Sequence, residues 1–467
     1  MSLKYAHKGY EYQDLVTVSL ILDEILLGNN DTTFHIDYRE IQSDIFDDLL
    51  INRVSKNSSK IQFKRNDPSK QRSLKFQDLF KSTSNINIEN LYRRYLETSS
   101  KQKTTFYLAV TWSAFDNNLN KYLTLNSDAN TLLDTEQTKS YSLEPSEIWG
   151  EKDSLFSESN AFDDYKSFQK FCEQFFILTS IPNASLDVKY PGLLEKEVFN
   201  QISKLGIGKF PNDQITIEEA FLYLIQLIKN HKGNSTNLTI TDVYKQLELK
   251  TDYGAIEQEV QIDKKYNIQN EMFYKTFIEN LIQNKKVILT GEPGSGKSWL
   301  VENLSEYATK QNIKIVRHFC YVSLADQFSL ERIKKNRLYG NLISEIIRHY
   351  PHLEKVKEEK YASTLDELNL LLGGIQEKTL LIIDGLDHID RIYNLNSQEV
   401  LRDHVNIIEA ISKIEFKSDN VSVLLVSQPI VELDTLENFY NVEIPTWSIL
   451  EVKELLKKKE IEDIDLS

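Results

Sequence analysis

Gly291-Glu292-Pro293-Gly294-Ser295-Gly296-Lys297-Ser298 reads G-x-x-x-x-G-K-S. That spacing sets a run of backbone N–H groups, one ammonium and one hydroxyl where nucleotide phosphates and a divalent cation need them. Just before it, Lys286 to Thr290 is apolar at Val287, Ile288 and Leu289 and reads as a short buried strand; just after it, Trp299 to Leu304 reads as a helix. Strand, glycine loop and helix is the order that phosphate binding at a helix N-terminus requires. Gly294 and Gly296 let the backbone curl around an anion at low steric cost. Lys297 is placed to reach the β- and γ-phosphates and Ser298 to ligate Mg²⁺. The stretch predicts a nucleoside triphosphate site, with ATP the expected nucleotide, in a P-loop domain built on a parallel α/β sheet.

Farther along, Thr379-Leu380-Leu381-Ile382-Ile383-Asp384-Gly385-Leu386-Asp387-His388 is an apolar strand ending in acid. In P-loop NTPases such an acid holds Mg²⁺ through water, and a second acid nearby polarises the attacking water. Asp384 is assigned the first role and Asp387 the second. Val421 to Val426 reads as another buried strand, ending at Ser427-Gln428-Pro429. The Asp384-Gly385-Leu386-Asp387 wording resembles the signature of the STAND class of signalling NTPases, which includes the NACHT proteins, over roughly residues 268 to 450. The resemblance implies a switch in which nucleotide and ligand drive homo-oligomerisation and so activate an attached effector domain. Two departures stand out. Ser427-Gln428-Pro429 replaces the Ser-Arg-Pro of many members, and the chain stops at Ser467 after a helix predicted over Ile449 to Lys459, before any winged-helix or sensor region. A truncated piece of a longer protein is the expectation. His388, where many relatives carry an acid, is expected to be a surface histidine.

The 467 residues suggest two or three domains. No apolar run approaches a membrane span and the opening MSLKYAHKGYEYQ has no signal-peptide core, so no membrane partner and a cytoplasmic location are expected. Cys172 and Cys320 alone support neither a disulfide framework nor a cysteine zinc site. The net charge of −15 would repel nucleic acid if evenly spread. It is uneven: Ile51 to Lys103 holds thirteen Lys or Arg against Asp67, Asp78, Glu89 and Glu97, a local +9 that suggests a polyanion site or a solvated face.

Upstream of the P-loop, apolar spacing predicts a helix over Glu11 to Leu27 capped by Gly28. Strands follow over Thr33 to Tyr38, Asp48 to Asn52, Lys60 to Lys64 and Thr105 to Trp112, a loop over Ser127 to Ser159, and a mostly helical stretch over 160 to 250. Asp47-Asp48-Leu49-Leu50-Ile51 puts acids at the start of one strand, and Ile61-Gln62-Phe63-Lys64 puts Gln62 and Lys64 on one face of the next. Phosphodiester hydrolysis needs a carboxylate to hold Mg²⁺ and a cation to orient water or stabilise charge. Asp48 is the expected principal ligand, with Gln62 beside it, and Lys64 the catalytic cation. With Gly9-Tyr10-Glu11-Tyr12-Gln13 opening the helix, this resembles the PD-(D/E)xK nucleases, and more closely the double-strand DNA endonuclease domain of bacterial antiphage effectors. The resemblance implies an acid completing the metal site, with Glu11 and Glu40 as candidates. The expected organisation is a restriction-endonuclease-like α/β domain over 1–250, a linker over 251–270 and a P-loop NTPase domain over 271–467. The expected function is an antiphage effector that cuts double-stranded DNA when a phage-derived or other protein trigger assembles it; the alternative is an ATPase carrying a non-catalytic DNA- or protein-binding module.

Overall fold

Leu15, Val18, Ile21, Leu22 and Ile25 recur at helical spacing and are all buried, which fixes the inward face of α1 (Leu3–Leu26). Gly28, at φ 78°, turns the chain out of it in the left-handed conformation that a side chain disfavours. α1 packs against α2 (Leu193–Lys204) and α3 (Ile217–Asn234). The computed structural model describes residues 3–37, 39, 45–54, 56–65, 73–98, 103–112, 115–126, 132, 138–156, 162–185, 191–234, 236–260, 262–268, 271–323, 325–396 and 399–461. The chain divides into two units, Met1–Leu205 with Ile215–Leu249, and Gly206–Gln214 with Lys250–Ser467. Among the described residues no helix is long and apolar enough to cross a membrane.

The first unit holds β1 (Thr33–Ile36), β2 (Leu49–Asn52), β3 (Ser58–Lys64), β4 (Thr104–Val110), β5 (Leu123–Asn126), β6 (Lys139–Leu143), β7 (Phe175–Thr179) and β8 (Leu238–Thr239) in one sheet, ordered β5-β6-β7-β4-β3-β2-β1-β8. β1, β2 and β3 form an antiparallel meander, and β4 then joins β3 in parallel, with β7 parallel beside β4. Phe106, Leu108 and Val110 of β4 and Phe175 and Ile177 of β7 pack with Tyr92, Phe168 and Phe171 in an aromatic-rich core. The span 127–159, expected as a loop, contains β6 and a helix, Pro145–Gly150. β6 is polar in sequence (Lys139-Ser140-Tyr141-Ser142) and is held by ladders to β5 and β7 on both sides, a long-range cause that local composition does not carry. β7 lies in the stretch expected to be helical, because a five-residue apolar run has no period to tell strand from helix.

The second unit holds β9 (Lys286–Thr290), β10 (Lys314–Phe319), β11 (Thr379–Asp384), β12 (Val421–Ser427) and β13 (Tyr440–Glu443), ordered β10-β11-β12-β9-β13 and parallel throughout. β11 and β12 are buried along their whole length, as expected of parallel strands covered on both faces. α4 (Lys297–Lys310) leaves the glycine loop and α5 (Ile449–Lys458) follows β13. The α/β class and the parallel P-loop sheet are therefore as the sequence indicates.

Candidate functional site

β9 delivers the glycine loop at the carboxyl end of the parallel sheet, the end at which such sheets bind ligands. Gly294 and Gly296 take φ of 79° and 90°, which the curled loop requires of them. Gly291 answers a different need, since a Cβ there would come within 2.3 Å of Ile444 Cγ2. Lys297 Nζ donates to the carbonyls of Gly291 (2.7 Å) and Glu292 (3.1 Å), so the ammonium spans the mouth of the loop. The hydroxyl of Ser295 inside the loop is buried with no hydrogen-bond partner in the protein, and so is that of Ser427, aligned with Thr290 of β9. Unpaired buried hydroxyls are costly, and two at one loop mark where a ligand's polar atoms belong.

Asp384 ends β11 almost fully buried. Burial, reinforced by the charge of Asp387, pushes its carboxyl up to about 7 against the opposing pull of the Gly385 N–H and Lys297. A desolvated carboxyl short of positive charge, with the Ser298 hydroxyl on the first turn of α4, is a hard-oxygen donor set that fits Mg²⁺. Gly385, at φ 84°, turns the chain into Leu386–His388. Asp387 Oδ1 accepts from the Gln428 backbone N–H (3.1 Å), and Oδ2 lies 3.5 Å from His388 Nε2. His388 is not a free surface side chain; it is half-buried and stacked on Tyr321, ring centroids 4.0 Å apart.

Beside the loop lies a cavity of about 270 Å³ lined by Phe273, Tyr274, Trp299, Trp447, Gly296 and Asn267, among others. Trp447 Nε1 donates to the Ser295 carbonyl (3.3 Å). Sequence reading singled out none of these aromatics, which come from three separated segments; Trp299, directly after Ser298, was the one local clue.

In the first unit, the pairing Leu49↔Ile61 carries Asp48 opposite Gln62. Asp48 Oδ2 accepts from the Gln62 amide and from the Phe63 N–H (2.6 Å), and Oδ1 accepts from Gln13 Nε2 (2.9 Å). Burial pushes the Asp48 carboxyl up to about 7, opposed by the Phe63 N–H and the charge of Lys64. So Asp48 and Gln62 are joined, with Gln13 of α1 beside them, and Lys64 lies near enough for its charge to act on Asp48. Asp47 is turned to Arg39 (2.8 Å). Glu40 lies outside the described residues. Glu11 sits two residues from Gln13, a rotation of roughly 200° about the helix, so the two do not face one point. Lys232 of α3 bridges Asp14 (2.8 Å) and Asp37 (3.5 Å), and the charge of Asp37 adds to that felt by Asp48.

Among the described residues no group of three His, Cys, Asp or Glu is placed to hold a metal ion. The donors at Asp48 are one carboxylate and two amides, and Gln13 Oε1 is buried without a partner. An amide turned over presents oxygen where nitrogen stood, at almost no change of shape. The set fits a hard divalent cation through Asp48, Gln62 and Gln13 rather than through several acids. Part of the basic segment is engaged within the unit. Arg53 pairs with Glu24 (2.5 Å), Arg93 with Glu89 (2.8 Å) and Arg94 with Glu97 (2.6 Å), while Lys60 is buried.

Comparison with known proteins bears on the second unit. Residues 281–436 match the profile of the AAA domain family. A protein of Arabidopsis thaliana named as a disease resistance protein is 23% identical over 220 residues, 43% of this chain; the chain spans 18% of that relative's length. The ORC2 protein of Aeropyrum pernix, solved in ADPNP and ADP complexes, is 15% identical, with 45% of this chain and 56% of that one covered at a TM-score of 0.26. The glycine loop, the acid that ends β11 and the family match together identify residues 281–436 as a nucleotide-binding P-loop domain of the AAA type.

Proposed function

We propose that the chain is an ATP-dependent switch whose P-loop unit governs a DNA-cleaving N-terminal unit. The observation that carries the nucleotide half is the gathering of Lys297, Asp384 and the unpaired hydroxyls of Ser295 and Ser427 at the carboxyl ends of neighbouring parallel strands. As triphosphate enters, Lys297 exchanges the Gly291 and Glu292 carbonyls for phosphate oxygens, and N–H groups at the start of α4 complete the cradle. The aromatic cavity receives the base. Ser298 and Asp384 would hold Mg²⁺, which supplies positive charge against the phosphates. Asp387, oriented by the Gln428 N–H, takes the proton of the attacking water.

The nuclease half is supported by the hydrogen bonds that join Asp48, Gln62 and Gln13, with Lys64 near enough for its charge to act on Asp48. Asp48 and the two amides would hold Mg²⁺, which supplies Lewis acidity at the scissile phosphate, and Lys64 neutralises charge that develops there. At a net charge of −15, one copy is poorly suited to hold DNA. A homo-oligomer would place several such surfaces on one duplex, so assembly under nucleotide control gates cleavage through multivalency. The resemblance to antiphage effectors, and the disease-resistance name of the plant relative, extend the proposal to defence triggered by a phage-derived or other protein.

Two variants test it in bacteria carrying the full chain and challenged with a phage panel. Asp48→Ala keeps ATP binding by calorimetry and loses infection-induced DNA degradation. Lys297→Ala weakens ATP binding by more than about tenfold and loses degradation with its nuclease residues intact. A wild-type protein that binds ATP and never cuts DNA would leave the N-terminal unit a non-catalytic binding module.

A further inference from the structure

We infer that His388 is a positioning residue for nucleotide hydrolysis: clamped flat on Tyr321, its imidazole holds the second oxygen of Asp387 and so aims that carboxylate at the attacking water. The inference rests on the hydrolytic reading of the P-loop unit given above.

The device begins at the end of β11. A Cβ on Gly385 would come within 3.2 Å of the Tyr321 backbone nitrogen, so this turn needs both the positive φ and the close approach that glycine allows. The turn lays His388 on Tyr321 with their planes only 17° apart. The stack restrains the imidazole, and its Nε2 lies 3.5 Å from Asp387 Oδ2, a contact longer than a formed hydrogen bond. The other oxygen of Asp387 is already held by the Gln428 N–H at 3.1 Å. A carboxylate tied at one oxygen can still rotate about its Cβ–Cγ bond; a hydrogen bond closed from Nε2 to Oδ2 would tie the other as well, and fixed geometry is what a proton acceptor contributes to rate. Contacts of this length tighten when substrate closes the site.

The electrostatics favour a neutral ring. Burial draws the pKa of His388 down, Arg391 and Lys297 add to that, and Asp387 alone opposes it. A neutral Nε2–H steadies Asp387 without cancelling its charge, whereas an imidazolium would pair with it and blunt its basicity. In the step served, water oxygen attacks the γ-phosphorus and its proton passes to Asp387. The bond from phosphorus to the bridging oxygen breaks with its electron pair staying on the nucleoside diphosphate, and Asp387 returns the proton to the released phosphate.

Steady-state ATP turnover with Mg²⁺ tests the inference in the full chain. His388→Phe, which keeps the stack and removes the donor, should lower kcat about tenfold or more with KM and the calorimetric ATP affinity unchanged. His388→Gln, which restores an N–H donor, should recover most of the loss. Tyr321→Phe should be near wild type and Tyr321→Ala should resemble His388→Phe. In an Asp387→Asn background His388→Phe should add nothing, a coupling that a merely structural side chain would not show. Wild-type kcat in His388→Phe, or additivity with Asp387→Asn, overturns the inference while wild-type turnover leaves the hydrolytic reading standing. A wild-type protein that binds ATP without turnover overturns that reading, and this inference with it.

Discussion

Glu11 and Gln13 differ by two positions on one helix, and only the second is hydrogen-bonded to Asp48. A helix turns 100° per residue, so one side of α1 serves the meander and the other does not. The acids that draw the eye in sequence are placed elsewhere: Asp47 meets Arg39, and Asp14 and Asp37 share Lys232. Strand alternation sets Gln62 and Lys64 on one face of β3, and pairing with β2 sets Asp48 opposite Gln62, an arrangement that was readable from spacing alone. Gln13 was not, because its partner is thirty-five residues away on another element. Gln13→Ala should reduce Mg²⁺-dependent DNA cleavage by about 10- to 100-fold and weaken Mn²⁺ binding measured by calorimetry. Glu11→Ala should leave both within a few-fold of wild type; the reverse order would place the third ligand at Glu11.

β10 illustrates how an element can be pinned by polar contacts that local spacing does not announce. His318 is wholly buried, with Nε2 donating to the Arg332 carbonyl (2.9 Å) and Nδ1 accepting from the Asn341 amide (2.8 Å). That pairing uses the neutral ring on both sides, and burial holds the pKa down to about 3. The folded value lies below the ordinary one near 6.5, so beneath pH 6.5 the unfolded chain binds the extra proton and the folded chain does not. The stabilisation is present in full above pH 6.5 and drains away as pH falls toward 3, at a cost of about 2 kcal/mol by pH 5. Asp384 of the same unit, its carboxyl raised, gains stability over the same range, so the His318 share is read as the difference between wild type and His318→Gln in urea unfolding at pH 7 and pH 5. His318→Gln, which cannot take up a proton, should lower stability at pH 7 and shed about 2 kcal/mol of the acid-side loss relative to wild type; a pH dependence equal to wild type would assign the acid sensitivity elsewhere.

At the scale of the molecule, the chain passes between the units three times, because Gly206–Gln214 is seated in the unit that otherwise begins at Lys250. The seat is well made. Asn212 donates to the carbonyls of Lys250 (3.0 Å) and Tyr361 (3.4 Å) and accepts from the Lys250 N–H (2.7 Å), and the Phe210 carbonyl accepts from the Ser363 N–H (2.8 Å). Phe210 also lies under the Arg337 guanidinium, 5.0 Å from ring centre. A fragment spanning 250–467 would leave those groups unpaired and should unfold at lower urea than the same unit in the full chain. Asn212→Ala in the full chain should destabilise the P-loop unit by about 2–3 kcal/mol, the cost of several buried backbone groups losing partners. Equal unfolding midpoints would show that the segment is dispensable to the fold. The same scale adjusts the weight of the basic segment: its +9 is a count along the chain that already subtracts Glu89 and Glu97, and the fold sets one further acid, Glu24, against Arg53.

Local chemistry was enough for the P-loop, the acidic end of β11 and the parallel α/β class, because glycine conformations, a Lys-Ser step and continuous apolar strands act within a few residues of one another. Tertiary contact was needed for the rest. The Gln13 contact, the aromatic cavity, the stack on His388, the seat of Asn212 and the pairing of Arg53 with Glu24 all depend on which distant side chain the fold brings opposite, and no period or spacing within one segment encodes that partner.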